Sequence, residues 1–241
     1  MSSKSSLFIA VIATVLAACS GGNAPPPVDP AVAAKAAAEA KAAKETALYE
    51  QMRKSGSWDI AVSLGSEVLA NWPDSTAAAQ VRKTLDETRD KAATIANTRR
   101  LAGLWSYTVT AEDGGTQYAA AIASKDAPKL PSARLRLVLR QHPKWGRSVY
   151  LLLDNATFDC KGGCATLPVS FDGEKPRHMK ATIPPTGEPA LFIDDDKGFI
   201  AKLEKAKTIA VGVKLKGSGE FNAEFEVSGF DPSRLPAKPI K

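Results

Sequence analysis

The chain has 241 residues, of which 44% are hydrophobic and 24% charged, so it can bury a core and is not a disordered polyelectrolyte. Its formal net charge of +6 favours acidic partners. Three cysteines and two histidines make neither a cysteine-rich scaffold nor a four-ligand metal site at recognisable spacing.

The chain opens MSSKSSLFIAVIATVLAACSGG, with Lys4 ahead of an apolar run from Leu7 to Ala18. A basic start and a run shorter than the roughly 20 residues of a membrane span read as a signal peptide, residues 1–18. Leu16-Ala17-Ala18-Cys19 resembles the bacterial lipobox. The resemblance implies cleavage before Cys19, acylation of Cys19 and palmitate among its acyl chains. One acyl chain holds a membrane only marginally, and several hold it stably. Ser20, where inner-membrane lipoproteins often carry Asp, implies the outer membrane, facing the periplasm. Residues 19–30, with Gly21, Gly22 and Pro25-Pro26-Pro27, form a lipidated flexible linker.

Residues 31–101 are rich in Ala, Lys, Glu, Arg and Leu, a helical composition. The segment AVAAKAAAEAKAAKETALYEQMRKSG predicts one helix ended by Gly56. Trp58, Ala61, Val62, Leu64, Val68 and Leu69 predict a second, broken by Asn71-Trp72-Pro73-Asp74. Asp74 or Ser75 then caps a long third helix reaching about Arg100. Ala47, Tyr49, Gly56, Trp58, Ala61 and Pro73-Asp74-Ser75 together resemble a tetratricopeptide repeat. Stable solenoids need about three repeats. One repeat and part of a second therefore pack on the rest of the chain or on a partner, unless the segment is a plain helical hairpin.

Residues 103–232 alternate in hydropathy and carry recurring turn signals. A hairpin is predicted around Asp113-Gly114-Gly115; Leu135, Leu137 and Leu139 share one face of a strand. Ile209, Val211, Val213 and Leu215 alternate inward, as do Phe221, Ala223, Phe225 and Val227 after the turn at Gly217-Ser218-Gly219. DDDKGFIAKLEKAK reads as a short helix capped by Asp195 or Asp196. Period-2 alternation over roughly seven or eight strands predicts an antiparallel β-sandwich or open barrel. The fold class is thus α+β, with an extended tail over residues 233–241.

In an oxidising periplasm, Cys160 and Cys164 predict a disulfide across a hairpin whose tip is Lys161-Gly162-Gly163. The order of the Cys160–Cys164 loop, VSFDG, LFI, FIAKLEKAK, a hairpin and GFD resembles a β-domain of bacterial envelope lipoproteins, some of them associated with type VI secretion. That resemblance implies no catalytic residue.

No nucleophile elbow, HExxH or phosphate loop occurs. Asp194-Asp195-Asp196 reads as a helix cap rather than a cation site, and His178 as a loop histidine. No acid lies between Asp126 and Asp154, an interval that carries Lys129, Arg134, Arg136, Arg140, Lys144 and Arg147 around Trp145. Arg134, Arg136 and Arg140 have the parity opposite the leucines and leave the core together. Arg134, Arg136, Arg140, Lys144 and Arg147 form a candidate face for an anionic partner: lipid A phosphate, a peptidoglycan carboxylate or an acidic protein patch. The alternative is internal pairing with Glu220, Glu224 and Glu226, for which Lys214 and Lys216 compete. The expectation is a non-enzymatic, periplasm-facing lipoprotein, an accessory or assembly factor of an envelope machine, with an envelope protein partner, no cofactor and no nucleic acid. The second reading is an inhibitor or binder of a cell-wall hydrolase or of an anionic envelope component, through the basic β-face or the QHPKWGR loop, residues 141–147.

Overall fold

The computed structural model describes residues 29–161 and 164–236. The signal peptide, Cys19, most of the expected linker, Gly162, Gly163 and residues 237–241 lie outside the described residues. The fold is α+β. The helical part holds α1 (Pro30–Lys54), α2 (Trp58–Asn71), α3 (Thr76–Arg82) and α4 (Leu85–Gly103).

Asp29 caps α1 by accepting from the Ala31 N–H at 2.8 Å, with Pro30 at the first helical position. Gly56, at φ +75°, turns the chain out of the helix as its sequence position predicts. Trp72 and Pro73 end α2. The expected long third helix is two helices. Ser75, not Asp74, caps the first, its Oγ accepting from the Ala78 N–H at 3.0 Å. The chain breaks at Lys83–Thr84, where no glycine or proline signals it. Tertiary contact supplies the reason: the Tyr49 hydroxyl sits 2.8 Å from Thr84 Oγ1 and 3.0 Å from Thr88 Oγ1, tying the start of α4 to α1. Tyr49, Val68, Val81 and Leu85 with small alanines make the helical core.

The sheet comprises β1 (Trp105–Glu112), β2 (Gly115–Ala123), β3 (Arg134–His142), β4 (Gly146–Asp154), β5 (Thr166–Phe171), β6 (Arg177–Thr182), β7 (Ala190–Ile193), β8 (Thr208–Leu215) and β9 (Gly219–Glu226). α5 (Asp196–Leu203) lies between β7 and β8. The spatial order is β1-β2-β3-β4-β7-β6-β5-β8-β9, antiparallel throughout. Both glycine hairpins form as predicted, with Glu112 facing Gly115 and Leu215 facing Gly219. One core joins the inward residues of both halves of the sheet to Phe199, Ile200 and Leu203 of α5. The Lys125 N–H donates to the Glu224 carbonyl at 2.7 Å, so the sheet curls back on itself as an open barrel.

Cys160 and Cys164 are bonded, with Cα atoms 5.1 Å apart. They do not close a hairpin. β4 is taken by β3 and β7, whereas β5 lies between β6 and β8, so the bridge staples the crossover between them. The β5–β8 ladder ends at Val169 opposite Val211. The next residue, Pro168, has no N–H to donate, and its Cγ lies 2.7 Å from where a Cβ of Gly212 would sit. Past that gap β8 is joined by the chain before the disulfide, through Asp159 N–H to the Lys214 carbonyl and Lys216 N–H to the Thr157 carbonyl, at 2.8 and 3.0 Å.

The helical part is joined to the sheet where α4 meets the turn Val227–Gly229. Arg100 donates to both carboxylate oxygens of Glu226, at 2.9 and 2.8 Å. A Cβ on Gly229 would lie 2.2 Å from the carbonyl carbon and oxygen of Leu101, so only glycine allows this approach. The described part of the expected extended tail is instead a 3-10 turn, Pro232–Arg234, followed by Leu235 buried in the β core. The Asp231 N–H donates to the Tyr107 hydroxyl at 2.7 Å, and Arg234 covers the Tyr107 ring, pinning the segment down.

Candidate anionic-partner face

On β3, Leu135, Leu137 and Leu139 point into the core, and Arg134, Arg136, Val138, Arg140 and His142 point outward. Across the sheet this outer face meets Ser148, Tyr150 and Leu152 of β4, then Phe192 of β7. On its other side stand Ala119, Ala121 and Ala123 of β2, too small to cover it.

The three arginines differ. Arg134 is exposed. Arg136 donates to Asp154 at 2.8 Å, so its charge is answered within the chain. Arg140 is half-buried; its Nε–H donates to Ser148 Oγ at 3.2 Å. Its guanidinium lies 5.6 Å from the Trp145 ring centre, 5.4 Å from that of Tyr150 and 5.9 Å from that of Phe192. Among the described residues no carboxylate pairs with Arg140. Tyr150 and Phe192 stack at 4.8 Å. Burial raises the Tyr150 phenol above its ordinary value, while the charges of Arg140 and Arg136 pull the other way.

The turn from β3 to β4 is held by His142, which is 5% exposed. Its Nδ1 accepts the backbone N–H groups of Lys144 at 3.0 Å and Trp145 at 3.2 Å, so the ring carries its hydrogen on Nε2. Trp145 stacks on His142 at 4.0 Å and 18°, yet remains 68% exposed. One face of the indole is covered and the rest lies open beside Arg140.

Two expectations are corrected. Arg147 faces Gln141 in register with Val149, Leu151 and Leu153, on the core side, and so does not join the outward arginines. The alternative pairing of the arginines with Glu220, Glu224 and Glu226 does not occur: the competing Lys214 takes Glu220 at 3.6 Å, as its place in the hairpin predicts, and Glu224 and Glu226 go to Lys125 at 3.5 Å and Arg100 at 2.8 Å. Lys144 sits exposed in the turn. His142 belongs to the QHPKWGR loop singled out from the sequence, whereas Tyr150 and Phe192 were missed. Tyr150 was legible as the outward member of SVYLLLD, but Phe192 lies far along the chain and reaches the face only because β7, not β5, pairs with β4.

Elsewhere, Asp195 caps α5 by accepting from the Gly198 N–H at 2.9 Å, and Asp194 accepts from Thr182 at 2.7 Å. No cluster of three potential metal ligands occurs among the described residues. His178 is on β6 opposite Pro168, not in a loop. A cavity of about 330 Å³ opens where Pro168 parts β5 from β8, floored by Leu167, Leu191, Val213 and Phe221 and rimmed by Asp159 and Lys214.

No protein-family model and no curated protein matches the chain. Among solved structures, the crystal structure of invasion associated protein B from Bartonella henselae is similar over 54% of this chain and 87% of that one, at 16% identity and a TM-score of 0.38. No helix among the described residues is long and apolar enough to cross a membrane.

Proposed function

We propose that this chain is a non-enzymatic lipoprotein of the bacterial envelope, anchored through acylated Cys19 and facing the periplasm from the outer membrane. It acts as an accessory or assembly factor by holding protein partners. The supporting observation is the junction at Arg100, Glu226 and Gly229, where the helical part packs on the β-domain through a charge pair and a close backbone contact. Two surfaces in fixed relation suit an adaptor. The test is fractionation and in-cell crosslinking of wild type and Cys19→Ala. Palmitate uptake, outer-membrane fractionation and crosslinked envelope proteins in wild type, all lost in Cys19→Ala, are expected. A variant that stays with that membrane while wild type takes up no label removes the anchor; wild type without crosslinks removes the adaptor. A second reading, a binder of an anionic envelope component, is favoured by Arg140, whose guanidinium has three aromatic rings and, among the described residues, no carboxylate partner.

A further inference from the structure

We infer that Arg140 and Trp145 form a binding site for a sugar ring that carries a carboxylate. The inference takes its site from the second reading above and stands independently of the lipid anchor.

Three observations lead to the sugar. The Trp145 indole is a rigid platform: His142 backs one side, the backbone N–H groups of the turn fix His142, and the indole is otherwise in solvent. A large exposed indole held so firmly presents a flat, electron-rich surface, onto which the axial C–H groups of a pyranose pack. Secondly, the neighbouring guanidinium is oriented and unanswered. Ser148 and the Tyr150, Phe192 and Trp145 rings hold it, and its only hydrogen bond among the described residues is made by Nε. The terminal nitrogens are left for an acceptor, and an arginine fork matches a planar carboxylate in two parallel hydrogen bonds.

Thirdly, the number of charges selects the class of partner. Anionic membranes are held by clusters of about four to eight basic residues. Here Arg136 is neutralised by Asp154, Arg147 points to the core side and the exposed Arg134 stands at the far end of β3, six residues from Arg140, which leaves Arg140 beside the platform with Lys144 at its rim. One oriented guanidinium next to one flat ring fits a single carboxylate attached to a single sugar. It does not fit a polyanionic sheet, and an acidic peptide without apolar side chains would leave the indole unused.

The experiment is calorimetric titration of the purified full chain, in neutral detergent micelles, with a tetragalacturonate oligosaccharide. The neutral oligosaccharide cellotetraose, an acidic tetrapeptide and phosphatidylglycerol vesicles form the other arms. Saturable binding of the uronate is expected, weakened about tenfold or more by Arg140→Gln, which removes a charged hydrogen-bond donor, and similarly by Trp145→Ala. Arg140→Lys, which keeps the charge without the fork, should recover only part of it. Arg89→Gln on the helical part should bind as wild type does. Thermal melts of each variant separate lost binding from lost folding. The inference is overturned if wild type does not bind the uronate, if cellotetraose binds equally well, if folded Arg140→Gln binds as wild type, or if the peptide or vesicles bind through Arg140 while the sugar does not. Absence of sugar binding leaves the adaptor reading standing, and absence of acylation or crosslinks leaves this one standing.

Discussion

Gly65 shows how a single atom sets the helical packing. Alanine is the better helix former by about 1 kcal/mol. Yet a Cβ at this position would lie 2.9 Å from Leu85 Cδ1 and 2.9 Å from Tyr49 Cε2. Both neighbours are among the fully buried side chains, and the Tyr49 hydroxyl is held by Thr84 and Thr88, so neither can swing aside. Overpacking costs about 1–3 kcal/mol, which outweighs the propensity gain. Gly65→Ala should therefore lower the urea midpoint; a raised midpoint would mean that α2 slides freely on α1. The bond between Cys160 and Cys164 acts differently, by restricting the unfolded chain. Its loop is short, so Cys160→Ala should cost about 2 kcal/mol. Reduced wild type should melt with that variant; if reduction leaves the melting temperature unchanged, the staple is idle.

At the scale of elements, the junction between α4 and the Val227–Gly229 turn joins a backbone contact to a charge pair. Gly229 lies against the Leu101 backbone, which cannot yield, and Arg100 sets the orientation through Glu226. The hydrogen bond from Arg100 is the main cause that holds the Glu226 carboxyl below its ordinary value of 4.5. The folded state thus favours the charged form. The pair's contribution is complete above pH 4.5 and is lost as pH falls through the lower folded value. Both groups are partly exposed to solvent, which screens the pair, so the effect on global stability is small and its readout is the junction itself. A label pair on α4 and β9 should show the junction loosening on acidification of wild type. Glu226→Gln should be looser already at neutral pH, with no further acid step. A wild type whose label distance is unchanged below pH 4 would assign the junction to Gly229 packing alone.

For the whole molecule, the length of α1 exceeds what the other helices can cover. Its second half buries Ala42, Thr46 and Tyr49, whereas Ala31 to Lys41 is mostly exposed. An unpacked helical stretch as short as this projecting part, under about 12 residues, is marginal in water. The first two turns stand on alanine propensity and the Asp29 cap, and Glu39, which accepts from the Thr76 N–H at 3.3 Å, makes the first contact with α3. Amide exchange should therefore be fast from Ala33 to Lys41 and fall sharply from Ala42 onward. Uniform protection along α1 would indicate that a second copy or a bound partner covers the projecting half.

Local chemistry determined much of this architecture from the sequence alone. Gly56 ends α1, Gly114 and Gly217 turn their hairpins, and Asp195 caps α5, because each effect acts within a few residues. The period-2 leucines of β3 assigned its inner and outer faces for the same reason, and with them the outward placement of Arg136 and Arg140. What needed the tertiary structure is pairing between distant segments. The break at Thr84 is tied to α1 by Tyr49, a residue far back along the chain, and the ring of Pro168 finds room only against Gly212. Arg136 and Arg140 carry the same charge on the same face of one strand, yet only Arg136 meets an acid, Asp154, while Arg140 meets Trp145, Tyr150 and Phe192. Charge and parity are properties of the sequence; which charge remains unanswered depends on strand order, which is decided when β4 pairs with β7 and so sends β5, with the disulfide, to the other half of the sheet.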